Sequence, residues 1–487
     1  MTFALAVVPI VLLLLGFPIF LVLLTAVTVA LVFFMHVPLV VVHQNLFASV
    51  NATPLLAVPF FIYAGELMGR GSVAQRLVDF VQAGVGSVRG SLGVTAVGTS
   101  AIFGAISGAS AATVATIGKV MVPAMKRAGY PETFTAGLIT AVGAIDVIIP
   151  PSIPMIVYGA AAEESVARLY AAGVVPGLLI AGMLAAYVMW RAKREGFGAG
   201  EPFNMKRFLH SAGRSVWALG APVIILGGIY GGVFSPTEAA AVACVYAALV
   251  TAFVFRELGW RDIVGAAAAT VLFTGQILII VACAGVFAWL LTVNQVPATI
   301  TAWLQALNVS WWVLLLAINV LLLAVGCFLD PLSAILLLSP LLVPMVKSVG
   351  IDTVHFGIVV TVNLAIGLFH PPFGINIFVA QTVLGLKLET IYRGIIPFVI
   401  IYLIALALIT YIPDISLIGV RYLMAKGQAP SDKDQVTRQW EDQSNAKNSE
   451  HAGRSRHHGW RRACRDPGQR PAIHDETVAA DRQRRHP

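Results

Sequence analysis

Residues 132–162 read ETFTAGLITAVGAIDVIIPPSIPMIVYGAAA, and residues 354–385 read VHFGIVVTVNLAIGLFHPPFGINIFVAQTVLG. Each is apolar and long enough to cross about 30 Å of hydrocarbon. Each also carries two adjacent prolines near its middle, Pro150-Pro151 and Pro371-Pro372. Proline donates no N–H and clashes with the preceding turn, so each pair predicts an unwound stretch inside a helix. The two stretches are copies: at an offset of 221, residues 122–176 align with 343–397 without a gap. Val122-Pro123-x-x-Lys126-x-x-Gly129 matches Val343-Pro344-x-x-Lys347-x-x-Gly350, Thr140 matches Thr361, and Gly173-x-x-Pro176 matches Gly394-x-x-Pro397. Apolar composition explains shared Val, Ile and Ala. It does not explain prolines, a lysine and glycines in one register, so the pattern reads as duplication.

Apart from residues 430–487, the chain belongs in lipid. It is 58% hydrophobic and 11% charged, against roughly 25% charged for soluble domains. Residues 430–487 hold 12 of the 32 Lys/Arg and 9 of the 24 Asp/Glu, so the body is poorer still in charge. The formal charge of +8 therefore marks cytoplasmic loops and gives no reason to expect nucleic acid. Four scattered cysteines form no CxxC pattern. The chain contains no GxxxxGK[ST], HExxH or GxSxG, which excludes P-loop ATP hydrolysis and the corresponding hydrolases.

Further apolar runs cover 4–35, 55–69, 93–123, 169–190, 217–235, 237–255, 268–293, 311–345 and 395–413. Gly16-Phe17-Pro18 predicts a break in the first, which reads as membrane-spanning and not as a cleaved leader. Between 70 and 89, Val73, Leu77, Phe80 and Val81 form one face of an amphipathic connector expected along the interface. Arg191, Lys193, Arg194, Lys206, Arg207 and Arg214 share one loop, predicted cytoplasmic. Counting outward puts the other basic loops on that side only if 93–123 and 311–345 are re-entrant hairpins, which need surrounding protein or a water-filled cavity. The fold expected is an all-α polytopic membrane protein with inverted repeats, 1–210 and 211–427. Each repeat holds one re-entrant hairpin and one Pro-Pro interrupted helix, a plan of transporters whose site lies at the midplane. Residues 428–487 read as a disordered polar tail.

Each break frees backbone carbonyls, which suit Na⁺, and opens a half-helix N-terminus, which suits a carboxylate. Candidate substrate contacts are Ser107, Gly108 and Ser110 at the first hairpin tip, with Ser152, His370 and Asn376 around the breaks. Candidate Na⁺ ligands are Gly104, Gly143, Asp146 and Pro150 in the first repeat, and Gly326, Asp330, Thr361, Asn363 and Pro371 in the second. Na⁺ is a coupling ion here, and no cofactor is expected. Other readings of these residues stay open. Small residues at the tip also serve helix packing. Asp330, an acid at membrane depth, also reads as an N-cap. His370 reads as a proton sensor, a substrate ligand or an imidazole satisfied by a freed carbonyl, and Asp146 as a cation ligand or a structural partner.

The chain resembles the large membrane subunit of tripartite ATP-independent periplasmic (TRAP) transporters. In the first half the resemblance rests on Gly65-Glu66-Leu67-Met68, Ser107-Gly108-Ala109-Ser110 with Ile117-Gly118, Gly129-Tyr130, Ile149-Pro150-Pro151-Ser152-Ile153 and Gly173-Val174-Val175-Pro176-Gly177. In the second it rests on Pro340 with Pro344, Gly350-Ile351, Val362-Asn363-Leu364 and Pro371-Pro372-Phe373-Gly374-Ile375-Asn376. It covers about 1–427 and implies a Na⁺-coupled, elevator-type importer of organic acids, such as dicarboxylates or sugar acids, in the bacterial inner membrane. It also implies two partners, a small four-span membrane subunit and a periplasmic substrate-binding protein. The tail departs from the family pattern. Two rivals fit parts of the sequence: a single-subunit sodium–dicarboxylate or citrate symporter, and an intramembrane enzyme using Asp146, Asp330 and His370. The two acids occupy non-equivalent repeat positions, which argues against a paired catalytic role.

Overall fold

Apolar runs become helices, and prolines and glycines decide where they stop. The computed structural model describes residues 7–424, save 10, 14, 36, 39, 199, 201 and 308. The expected tail lies outside the described residues. Helix α1 (Ile19–Ala30) starts after Pro18, as the Gly16-Phe17-Pro18 break predicts, and continues as a π-helical turn, Leu31–Met35. Next comes α2 (Val40–Val50), which meets the helical stretch Thr53–Arg70, containing α3 (Ala57–Arg70), at a 61° bend. The run expected over 55–69 thus has a helical partner before it, hidden in the sequence by His43, Gln44 and Asn45.

The amphipathic connector is α4 (Val73–Val85). Then follow α5 (Ser91–Ser107), α6 (Ser110–Arg127), α7 (Glu132–Asp146), α8 (Ile153–Ala162) and α9 (Val166–Glu195). A middle section holds α10 (Met205–Tyr230), α11 (Pro236–Leu249), α12 (Trp260–Val293) and α13 (Val296–Ala306). The chain then repeats the earlier order with α14 (Trp311–Gly326), α15 (Pro331–Ser348), α16 (Thr353–Gly367), α17 (Ile375–Leu384) and α18 (Leu388–Tyr411), and adds α19 (Asp414–Met424). The correspondence is close: α7 and α16 have 15 residues each, and α8 and α17 have 10 each. Both Pro-Pro bonds are cis.

Helix ends follow local chemistry. Gly108, at φ +61°, ends α5 and lets two residues turn the chain into α6. Ser235 and Glu238 form a reciprocal capping box at α11. Asp352 accepts from the Val354 and His355 N–H groups at 2.8 and 3.0 Å, starting α16. Among the described residues six helices are long and apolar enough to span a membrane, α9, α10, α11 with its π-helical extension to Val254, α12, α15 and α18, and the bent pair Val40–Val50 with Thr53–Arg70 would make a seventh if it is one span.

The interrupted helices occupy the centre. Every residue of α16 is buried, as is every residue of α7 from Phe134 to Asp146, as expected for helices apolar on all sides. Where α7 crosses α18, a Cβ on Gly137 would lie 2.0 Å from the Gly394 carbonyl oxygen, so only glycine permits the approach. Helix α4 buries Val73, Ala74, Leu77 and Val78, whereas Phe80 and Val81 are half-buried. It packs on α5 and α10, and the Ser215 hydroxyl donates to the Arg76 carbonyl at 2.8 Å. Glu257, in the loop before α12, pairs with Arg76 at 3.1 Å and accepts from the Ser72 N–H at 2.7 Å and from its hydroxyl. Arg76 also lies 4.1 Å over the Phe255 ring.

Candidate functional site

The first hairpin tip is a packed, cross-braced structure. Ser107 is buried, and its backbone sits so near α3 that a Cβ on Gly65 would come 2.8 Å from the Ser107 carbonyl oxygen. The Ser110 hydroxyl donates to Asn376 Oδ1 at 3.0 Å, and Asn376 Nδ2 returns a bond to Ser110 Oγ at 2.7 Å. Asn376 comes from α17, so the tip of one hairpin is fastened to the half-helix of the other copy. Gly143 makes room for this junction: a Cβ there would fall 2.3 Å from Val114 Cγ2 and 3.2 Å from Asn376 Nδ2. Asn376 Nδ2 also reaches the Thr140 carbonyl at 3.4 Å.

Asp146 lies behind this tip, fully buried, and Thr113 of α6 donates to its Oδ2. Its Oδ1 is buried without a hydrogen-bond partner among the described residues. Gly104 allows the contact, since a Cβ there would lie 2.7 Å from the Asp146 Cα. In the repeat register Asp146 corresponds to Gly367, whose own Cβ would meet the Gly326 carbonyl oxygen at 2.5 Å. Both hairpins therefore press a glycine onto the same point of an interrupted helix, and only the first copy places a carboxylate there.

Hairpin two is held differently. Cys327 Sγ lies 3.3 Å from His370 Nδ1 and donates to the Pro371 carbonyl at 3.6 Å. Asp330 is exposed and caps α15, its Oδ2 accepting from the Leu332 and Ser333 N–H groups at 3.1 Å each. The Phe328 and Phe373 rings lie nearby, tilted by 47° with centroids 5.5 Å apart.

Several carbonyls released by the breaks already have donors. Val147 accepts from the Ser152 hydroxyl at 2.5 Å, Leu368 from the Asn376 N–H at 2.9 Å, and Pro372 from Tyr392 at 2.8 Å. Ser152 also caps α8 through the Met155 N–H. Thr361 donates to the Gly357 carbonyl at 2.8 Å, as Thr140 does to Ala136 at 2.7 Å. Asn363 stands apart from both tips and donates to Asn319 at 2.7 Å, which donates in turn to Thr410 at 3.1 Å.

A cavity of about 230 Å³ opens between the two tips and the half-helices α8 and α17. Of the residues singled out from sequence, Gly108, Ser110 and Asp330 line it; Ser107, Ser152, His370 and Asn376 do not, nor do Gly104, Gly143, Asp146, Pro150, Gly326, Thr361, Asn363 and Pro371. Among the described residues that line it there is no lysine, arginine or histidine. One wall is α12, which contributes Phe273, Gln276, Ile277 and Ile280. Sequence reading missed this wall. The available signal was Gln276, the one amide or charged residue between Asp262 and Asn294.

Residues 6–415 match the family model described as Tripartite ATP-independent periplasmic transporter, DctM component. The chain is 42% identical over 373 residues to the C4-dicarboxylate TRAP transporter large permease protein DctM of Pseudomonas aeruginosa, a match covering 77% of this chain and 87% of that one. It is 42% identical over 382 residues to the isethionate TRAP transporter permease protein DctMQ of Oleidesulfovibrio alaskensis, covering 78% of this chain but 60% of that protein's length. In fold it is similar to the Alcanivorax borkumensis YdaH transporter, with a TM-score of 0.59 at 15% identity over 86% of this chain and 99% of that one. The helical membrane body with its paired hairpins and broken helices thus belongs to the DctM family, the large permease component of TRAP transporters.

Proposed function

We propose that this chain is the permease of a Na⁺-coupled importer of small organic acids, working with a small membrane subunit and a periplasmic binding protein. The observation that carries the reading is the cavity bounded by both hairpin tips and both half-helices, where a transporter built from inverted repeats holds its cargo. Relatives are named for C4-dicarboxylates, isethionate and ectoine, small molecules that each carry an acid group, and the name DctMQ supports a small-subunit partner. Helix α6 begins at the cavity without a side-chain cap, leaving N–H groups for an acid; α17 also lacks a side-chain cap, but its Asn376 N–H already donates to the Leu368 carbonyl. Helices α8 and α15 are capped by Ser152 and Asp330.

Charge supports Na⁺ as the coupling ion. An anion entering a cavity that has Asp330 on its wall and no basic side chain among the described lining residues meets uncompensated repulsion, which a co-bound cation relieves. Asp146 Oδ1, unpartnered beside the Thr113 hydroxyl and Gly104, offers one cation position in the first repeat. Residues 1–210 and 211–427 form the inverted repeats of this reading. Their hairpins are re-entrant, and the core carrying them moves as an elevator. In proteoliposomes supplied with the binding protein, labelled acid should accumulate under an inward Na⁺ gradient without ATP. Uptake driven by a H⁺ gradient alone, with Na⁺ absent, overturns the coupling.

A further inference from the structure

Gln276 stands at the midpoint of the 34-residue α12, the helix most evidently long enough to cross a bilayer. From Ile263 to Val293 it is the one residue carrying an amide or a charge. An amide left unpaired in hydrocarbon is costly, and polar groups at that depth belong on cavities. Gln276 is exposed and lines the cavity together with Ser110 and Asp330, and it has no hydrogen-bond partner among the described residues. The other polar side chains there are engaged: Ser110 with Asn376, and Asp330 with the first turn of α15. Among the described lining residues Gln276 is therefore the one side chain with an uncommitted donor and acceptor. Its Nε2 can donate twice and its Oε1 can accept.

We infer that Gln276 is a specificity-determining residue, donating from the α12 wall to the acid group of the substrate or exchanging a hydrogen bond with a substrate hydroxyl. The inference rests on the organic-acid reading above. An amide suits this wall because it binds an oxyanion without adding charge, leaving anion and Na⁺ to balance each other. A site built to hydrogen-bond one oxygen pattern rejects analogues that leave the amide unpaired.

The test is uptake by the full transporter of labelled succinate, isethionate and ectoine at fixed Na⁺, comparing wild type with Gln276→Leu and Gln276→Glu. Gln276→Leu keeps the side chain's approximate size within an apolar helix. It should raise KM about tenfold for an acid the wild type carries, the loss of roughly 1.4 kcal/mol of binding. The ratio of KM values between acids should change, with kcat and thermal stability unchanged. Gln276→Glu adds a negative charge to a cavity without a base and should suppress uptake further. Wild-type KM values and an unchanged ratio in Gln276→Leu would overturn the inference. So would a loss of thermal stability with KM unchanged, which marks a packing role. Failure of the wild type to carry any of the three acids would instead sink the organic-acid reading, and this assignment with it.

Discussion

Ser110 and Asn376 are 266 residues apart yet satisfy each other with two hydrogen bonds inside the protein. Neither side chain has another buried partner of comparable geometry, so removing one strands the other. Ser110→Ala and Asn376→Ala should each slow uptake, and the double variant should be little worse than the poorer single one. The coupling should be about 1–2 kcal/mol in a double-mutant cycle on stability. Independent, additive effects would show that the two residues do not act as a pair. Gly137 permits a sharper test. Its added methyl would have to displace the Gly394 backbone, so Gly137→Ala should destabilise the protein by about 2–3 kcal/mol, read as a lower melting temperature in detergent. Both residues of the Ser110–Asn376 pair stood out in the sequence, each beside a predicted break or tip. Their pairing did not, because contact between the copies is a property of the folded arrangement and leaves no spacing to read.

At the scale of helices, punctuation was legible and polarity misled. The Pro-Pro pairs and Gly108 announce their breaks through backbone chemistry that needs no tertiary context. Helix α2 escaped because His43, Gln44 and Asn45 dilute its hydropathy, and α12 passed as a plain span because one amide barely changes an average taken over a long window. Connections between helices depend on single side chains as well. Glu257 ties the loop before α12 to the start of α4. Its burial alone would raise the carboxyl pKa, but donation from Ser72 and the Arg76 charge outweigh that and hold it below the usual glutamate value. A carboxyl depressed on folding contributes stability above its unfolded pKa and loses it as pH falls through the folded value. Glu257→Gln should therefore melt earlier than wild type at pH 7. The gap should persist down to about pH 4.5 and close below it, when melting temperatures of both proteins are compared across that range. A gap that stays constant at lower pH would assign the effect to packing.

The whole molecule divides into a membrane body that the family model matches almost completely and a polar tail rich in charge. Residues 430–487 have little apolar surface with which to build a core, so their deletion should leave initial uptake rates unchanged at equal expression. A transport defect there would show that the segment binds something. Within the body, duplication was legible from the register of prolines and glycines, but the inequality of the copies was not, since burial depends on what packs around each. In the first copy Ser107, Ser110 and Pro150-Pro151-Ser152 are all buried. In the second, Phe328 is 72% exposed and Phe373 52%. Equivalent amides therefore sit behind different barriers to solvent. In deuterium oxide, peptides covering 107–110 and 150–152 should exchange only through the rare large openings of the body, and those covering 327–330 and 371–374 through frequent local ones. Two descendants of one ancestral segment would then keep different time: one set by the slowest event in the protein, the other by the fluctuations of a single loop.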